Sequence, residues 1–160
     1  LVSHQIRANW ATLVPTSENE GQMWRSTNQR PAARWFREDF DDARWRVSPG
    51  GFGTEGTPGA VVRTPWNTQE IWLRRSFSLT QPLPKRVALR LHHAEDVQVY
   101  LNGVSVLKRR GYATGYEIAE IDAGILRAGG NQLAVHCRQS TGGQYIDVGL
   151  DALVVDQPDP

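Results

Sequence analysis

Cysteine is almost missing from this chain: Cys137 stands alone, so no internal disulfide can staple the fold. Cysteine usage therefore carries no information about redox compartment. Cys137 follows Leu133 and Val135 at alternate positions, where a thiol reads as a buried, inert side chain. An excess of one charge is missing too. The 18 Lys and Arg nearly cancel 17 Asp and Glu, leaving a net charge of +1. That balance gives no electrostatic case for nucleic acid or an anionic membrane as partner. No apolar run approaches the roughly 18 residues that a membrane-spanning helix requires. Gly-x-Ser-x-Gly, His-Glu-x-x-His and phosphate-cradling loops are also absent from the sequence. Gly50-Gly51-Phe52-Gly53 lacks the strand-to-helix setting of a dinucleotide fingerprint.

What is present reads as β-structure. The 15 Gly, 9 Pro and 6 Trp are many for a helical protein. Residues 86–103 carry the clearest pattern. Val87, Leu89 and Leu91 alternate with Ala88, Arg90 and His92; after an acidic corner at Ala94-Glu95-Asp96, Val97, Val99 and Leu101 alternate with Gln98 and Tyr100. Period-2 alternation predicts half-buried strands, and the two runs read as a central hairpin around which a sandwich closes. Asn102-Gly103 marks a further tight turn, since both residue types tolerate the positive φ of a type I′ hairpin. More strands are expected over residues 10–14, 23–27, 70–79, 117–121, 131–138 and 145–155. In residues 70–79, Ile71, Leu73, Phe77 and Leu79 share one face, interrupted by Arg75, while Trp72, Arg74, Ser76 and Ser78 share the other. Residues 31–42 read as a loop with a helical turn. Residues 48–59 (SPGGFGTEGTPG) hold 5 Gly and 2 Pro, a composition that predicts a surface loop of functional length.

Strands separated by turn signals every ~8–12 residues predict an all-β sandwich. At 160 residues the chain is long enough to bury a core without staples. Residues 1–155 read as one module, with residues 1–9 as a lead-in and residues 156–160 (DQPDP) as a linker remnant. The chain begins without Met or an apolar leader, which reads as an excised module whose targeting signal lies elsewhere.

Four segments in order, residues 71–79 (IWLRRSFSL), 87–91 (VALRL), 95–103 (EDVQVYLNG) and 129–135 (GGNQLAV), carry a resemblance. The set is similar to the sugar-binding jelly-roll domain of glycoside hydrolase family 2 enzymes and to the wider galactose-binding-like superfamily. Trp35, Phe40, Asp41 and Trp45 fit that family's lead-in. The resemblance covers roughly residues 35–150 and implies a galactose-binding-domain-like jelly roll. Such domains serve as carbohydrate-binding modules, as scaffold beside a catalytic barrel, or within unrelated receptors. The glycine-rich stretch and the His92-His93 pair depart from the family's pattern.

Neutral sugars are gripped by aromatic rings stacking on C–H faces and by planar polar side chains reading hydroxyls. Trp66, after Pro65 and beside Asn67, fits either an exposed platform or a core plug. Tyr112, between Gly111 and Gly115 and next to Arg109 and Arg110, fits a presented ring or a structural lid. His93 and Glu95 at the acidic corner, and Gln144, Tyr145 and Asp147 after a Gly-rich loop, complete the candidate ligand-binding set with Arg109. Gln139 and His136 are available from the adjoining strand end; Trp72, Arg74 and Tyr100 form a groove or a covered outer face. Adjacent histidines on a strand point to opposite faces, so His92 and His93 cannot share a zinc ion without a bulge. No metal ligands and no cofactor are assigned, a structural Ca²⁺ at the acidic corner being the one ion with suitable oxygen donors. For Asp96 the resemblance favours a structural use, tying the corner through backbone N–H groups.

The sequence thus points to a non-catalytic carbohydrate-binding module of a secreted or periplasmic bacterial glycan-degrading protein. Its partners would be an oligo- or polysaccharide and a catalytic domain of the same chain. A structural accessory domain packing against a hydrolase, without a ligand of its own, is the rival; a small lyase or hydrolase is the third reading. No spacing singles out the pair of carboxylates a glycosidase requires.

Overall fold

A computed structural model of the chain describes residues 7–139 and 141–156. Residues 1–6 of the lead-in and residues 157–160 of the linker remnant lie outside the described residues; residues 7–9 belong to β1 and Asp156 to β12. The strands run β1 (Arg7–Val14), β2 (Met23–Thr27), β3 (Arg46–Pro49) and β4 (Phe52–Gly53). Next come β5 (Thr64–Pro65), β6 (Glu70–Leu79), β7 (Val87–Ala94) and β8 (Asp96–Leu101). β9 (Val104–Arg109), β10 (Glu117–Ile121), a 3₁₀ turn (Ala123–Ile125), β11 (Gly129–Arg138) and β12 (Tyr145–Asp156) complete the order.

They form two six-stranded sheets packed as a sandwich. One has the order β10-β7-β12-β4-β5 with β1 alongside β12; the other has the order β3-β2-β6-β11-β8-β9. The alternation in the sequence explains the core. Val87, Leu89 and Leu91 of β7 and Val148 and Leu150 of β12 meet Val97, Val99 and Leu101 of β8 and Leu133 and Val135 of β11 in one cluster of buried residues. Each such side chain contributes about 1.5–3 kcal/mol when removed from water. Cys137 lies in the same cluster, and burial pushes its thiol up to about 12, which keeps it protonated and unreactive.

The expected hairpin at Asn102-Gly103 is present. Asn102 (φ 50°) and Gly103 (φ 81°) join β8 to β9, with Leu101 opposite Val104. The central pair is corrected: β7 and β8 do not pair with each other. β7 lies between β10 and β12, whereas β8 lies between β11 and β9, so the corner at Glu95 carries the chain from one sheet to the other. Alternation reports burial on one face and is blind to which strand lies alongside.

The glycine-rich stretch is also corrected. Ser48, Gly50, Gly51, Phe52, Gly53 and Thr57 are buried, and part of the stretch forms β4 against β12. The glycines serve close approach. A Cβ on Gly51 would stand 2.0 Å from the Tyr145 hydroxyl, and one on Gly53 would stand 2.3 Å from the Gln144 carbonyl oxygen.

Trp72 and Arg74 resolve as a covered outer face. Trp35, Trp72 and Ala134 form a second buried cluster, joined by Phe36, Phe40, Trp45 and Tyr100. The segment of residues 31–45 lies across β6 and β11 as a lid, and Arg74 holds it from beneath. Its guanidinium donates to Asp42 Oδ2 (2.7 Å) and to the carbonyls of Trp35 (2.6 Å) and Arg37 (2.9 Å), and lies over the Phe40 ring. His136 stacks on Trp72 at 4.8 Å and meets Glu70 Oε1 at 3.1 Å, so it belongs to this face rather than to a ligand site.

Candidate functional site

The end of the sandwich reached by β7, β8 and β12 is where the sequence places its candidates. The loop after β9 rises there and is pinned by the two histidines and Asp96. Gly111, whose φ of 83° suits glycine, donates its N–H to Asp96 Oδ1 at 2.8 Å. Ala113 N–H donates to the His93 carbonyl at 2.8 Å, and Ala94 and Tyr112 form an isolated bridge. His93 Nδ1 donates toward the carbonyls of Glu95 (2.7 Å) and Gly111 (3.1 Å), while His92 Nε2 reaches the Ala113 carbonyl at 3.2 Å. Burial lowers the pKa of His92, which suits this neutral role. Both histidines therefore brace the loop that carries Tyr112, and Asp96 makes the backbone tie expected of it.

Tyr112 itself is 70 % exposed. Its ring stands at the rim of a cleft of about 290 Å³ whose lining includes Pro58, Glu95, Thr114 and residues 141–143. Among the described residues that line it, Glu95 supplies the one carboxylate; its side chain belongs to a residue only 5 % exposed. Thr57 closes the far wall, its Oγ1 within hydrogen-bond distance of the Thr54 and Gln144 carbonyls at 2.8 and 3.2 Å. The cleft thus offers a free aromatic face, hydroxyls and a single acidic group. A volume of this size lies at the small end of ligand pockets and suits one sugar ring.

Of the eight candidates, Tyr112 and Glu95 meet in this cleft; the others are placed elsewhere. Trp66 is 3 % exposed, packs in the main core and donates Nε1–H to Thr68 Oγ1, so neither ring face is open to stack on a sugar. Gln144 is buried and donates from Nε2 to the Thr68 carbonyl at 2.7 Å. Tyr145 is fully buried with its hydroxyl on the Val61 carbonyl, and burial raises its phenol to about 12. Arg109 is half-exposed and pairs with Glu117, joining the β9 and β10 edges of the two sheets. His93 sits behind the loop. Trp66, Gln144, Tyr145 and His93 are corrected as direct ligand contacts: the Trp66 ring is sealed in the core, the Gln144 amide and the Tyr145 hydroxyl are used inside the protein, and His93 is buried behind the loop; Arg109 lies outside the residues lining the cleft. Among the described residues, no three of His, Cys, Asp and Glu gather where they would hold a metal ion. Nor is any helix long and apolar enough to cross a membrane.

Asp147 is strongly perturbed. Buried, it accepts both Ser17 N–H contacts (3.1 and 2.9 Å) and the Tyr116 hydroxyl. Burial nevertheless wins over these donors and raises its pKa from 3.8 to about 6. The folded protein then holds this proton more tightly than the unfolded chain, so the contribution to stability is fully present below about pH 4. It is lost as pH rises to about 6, a change of roughly 3 kcal/mol for about two pKa units. Urea midpoints measured from pH 4 to pH 7 are expected to fall through this window, and to fall less in Asp147→Asn. Equal slopes in the two proteins would remove Asp147 as the cause.

The sequence matches no protein-family model and no curated protein. Solved structures do match. The chain is similar to a calcium-binding mutant of Bacteroides uniformis β-glucuronidase 2, at 19 % identity and a TM-score of 0.62, over 92 % of this chain and 18 % of that one. It is similar to a glycosyl hydrolase family 2 member from Bacteroides cellulosilyticus, at 16 % identity and a TM-score of 0.59, over 81 % and 20 % of the two chains. Bifidobacterium dentium β-glucuronidase, complexed with coumarin-3-O-glucuronide, matches at 17 % identity and a TM-score of 0.58, over 84 % and 21 %. The chain therefore spans about a fifth of the length of these structures, and what it shares with them is the β-sandwich fold.

Proposed function

We propose that this chain is a non-catalytic β-sandwich module that binds saccharide at its loop end, as the accessory part of a larger, exported glycan-degrading protein. The observation that carries the reading is the exposed Tyr112 ring held over the cleft by a loop tied at four backbone groups. An aromatic ring that gains nothing from its own fold, on a rigid support, is what stacking on a sugar face requires. The exposed Thr114 supplies a hydroxyl beside the ring, and Glu95 is the carboxylate among the lining residues. One carboxylate at the cleft, rather than a converging pair, supports binding without hydrolysis. The short span relative to family 2 enzymes of the same fold supports an accessory role beside a catalytic neighbour, and the jelly-roll resemblance supports it further. Tethering to such a neighbour multiplies a weak affinity through effective concentration.

Affinity electrophoresis of the 160-residue chain against a panel of neutral polysaccharides tests this. Retention on one class is expected, with about tenfold weaker binding in Tyr112→Ala, as loss of a stacked ring worth about 1–1.5 kcal/mol implies. The unfolding midpoint is expected to stay within about 0.5 kcal/mol, since the ring is exposed. Silence across all polysaccharides would favour the ligand-free scaffold; release of reducing ends would favour an enzyme.

A further inference from the structure

A second concavity opens on the flank of the sandwich, where the edge strands β3 and β5 of the two sheets part. It measures about 330 Å³, and its floor is formed by Phe52, Trp66 and Ile71. Its walls carry Arg44, Arg46, Asn28, Gln29 and Asn67, with Trp45 beside them. Three features set it apart from the Tyr112 cleft. Among the described residues lining it there is no Asp or Glu. Among the described residues neither Arg44 nor Arg46 is in an ion pair, whereas seven other arginines are. Finally, Arg46 lies opposite the buried Ser26 in the β2–β3 register, so its side chain leaves the strand on the inward face, toward the groove.

An inward-pointing charge on an edge strand also deters sheet-to-sheet aggregation. Arg46 alone would serve that purpose. It does not account for Arg44, which precedes β3, or for a concave wall of amides with no partner of their own. From these observations we infer that the flank groove is a binding site for an anionic saccharide, one bearing a carboxylate or a sulfate ester. Two guanidiniums provide forked donors for the anion. Planar amides read the hydroxyls, and the half-buried Trp45 beside them is the lining ring with surface left for the C–H face of a sugar, above a floor closed by core side chains. With the chain as a whole at +1, two unpaired cations in one concavity also concentrate positive potential there. The amides and the half-open, ring-sized concavity favour a sugar over an acidic protein segment, which would need a longer, flatter track. This site stands apart from the Tyr112 cleft and does not depend on it.

The test is an NMR titration of the 160-residue chain, following the indole N–H signals of Trp45 and Trp66. Methyl β-D-glucuronide is compared with methyl β-D-glucoside, which differs only at the anion, and glucose 6-sulfate separates sulfate ester from carboxylate. At least one charged sugar is expected to shift the Trp45 signal and the glucoside to leave it in place. Arg44→Gln and Arg46→Gln should each weaken binding about tenfold, raised salt should weaken it further, and unfolding midpoints should hold. Equal response to charged and neutral sugars would overturn the inference, as would no response to any. An equal shift with inorganic sulfate would reduce the groove to an anion site without sugar recognition. A shift with hexaglutamate alone would assign it to a protein partner; both results count against the proposal.

Discussion

Arg74→Met is expected to destabilise the fold by about 3–5 kcal/mol, read as a drop in urea midpoint. The guanidinium is 2 % exposed and has no route to water. It satisfies Asp42 Oδ2 and the carbonyls of Trp35 and Arg37, with Phe40 O at 3.4 Å as a weaker contact. Met fills much of the volume but donates nothing. The carbonyls then lose their partners in a covered site, at about 1–3 kcal/mol for each one that water cannot reach. Asp42 keeps one neighbour, Arg25 at 3.4 Å, which offsets part of the loss. The damage should be local before it is global. The segment of residues 31–45 has little regular structure to hold it, so its amides should lose hydrogen-exchange protection while β7 and β12 keep theirs. The Trp35–Tyr100 and Phe36–Tyr100 contacts, at 5.6 and 4.3 Å, would loosen with it. A midpoint change below about 1 kcal/mol would show that the lid is held by its aromatic rings and not by the cation beneath them.

Arg74 also shows how far the sequence could be read. Its parity with Trp72 puts both on the face opposite Leu73, a pattern that fits a groove or a covered outer face. What covered it was not legible, because residues 31–45 have no period that names a partner. The strands follow the same rule. β6, β8, β11 and β12 were readable from alternation, and the β8–β9 turn from Asn102-Gly103, since those signals are local. The pairing of β7 with β12 rather than β8 is a long-range choice, and alternation alone cannot make it. Site residues suffered most. Trp66, His93, Gln144, Tyr145 and Asp147 are polar or aromatic residues next to loops, a pattern shared by ligand contacts and by loop anchors. In this fold they anchor: the loops at this end have few ladder bonds of their own and draw on side chains beneath. Tyr112 differed in one visible respect, its setting between Gly111 and Gly115 in a stretch without alternation. Arg44 and Arg46 gave no signal, because nothing local to them tells an unpaired arginine from a paired one.

Gly51→Ala is expected to be as damaging as the loss of Arg74, at about 4 kcal/mol, although it adds only a methyl group. The new Cβ would lie 2.0 Å from the Tyr145 hydroxyl oxygen, 2.3 Å from Cζ and 2.6 Å from Cε1, so the ring must move. It has nowhere to go. Tyr145 is fully buried, its hydroxyl donates to the Val61 carbonyl at 2.9 Å, and His92 closes one side with ring centres 4.9 Å apart. Gly53 presses from below, its own added Cβ falling 2.9 Å from Tyr145 Cδ1. Overpacking of this kind costs about 1–3 kcal/mol or more, and breaking the buried hydroxyl bond adds about 1–3 kcal/mol. A four-protein cycle separates this mechanism from a backbone effect. Tyr145→Ala alone leaves a cavity and should cost about 3–5 kcal/mol. The double variant Gly51→Ala/Tyr145→Ala should be more stable than the sum of the two losses by at least about 1.5 kcal/mol, because the methyl group then occupies space the ring has left. Gly56→Ala is the control: Gly56 has a φ of 86° and nothing within 4 Å of an added Cβ, so only backbone strain of about 1 kcal/mol is expected. Additive losses in the cycle, or a Gly51→Ala cost no larger than that of Gly56→Ala, would mean that the close approach of ring and backbone is not what fixes this glycine, and that the buried course of the glycine-rich stretch has another cause.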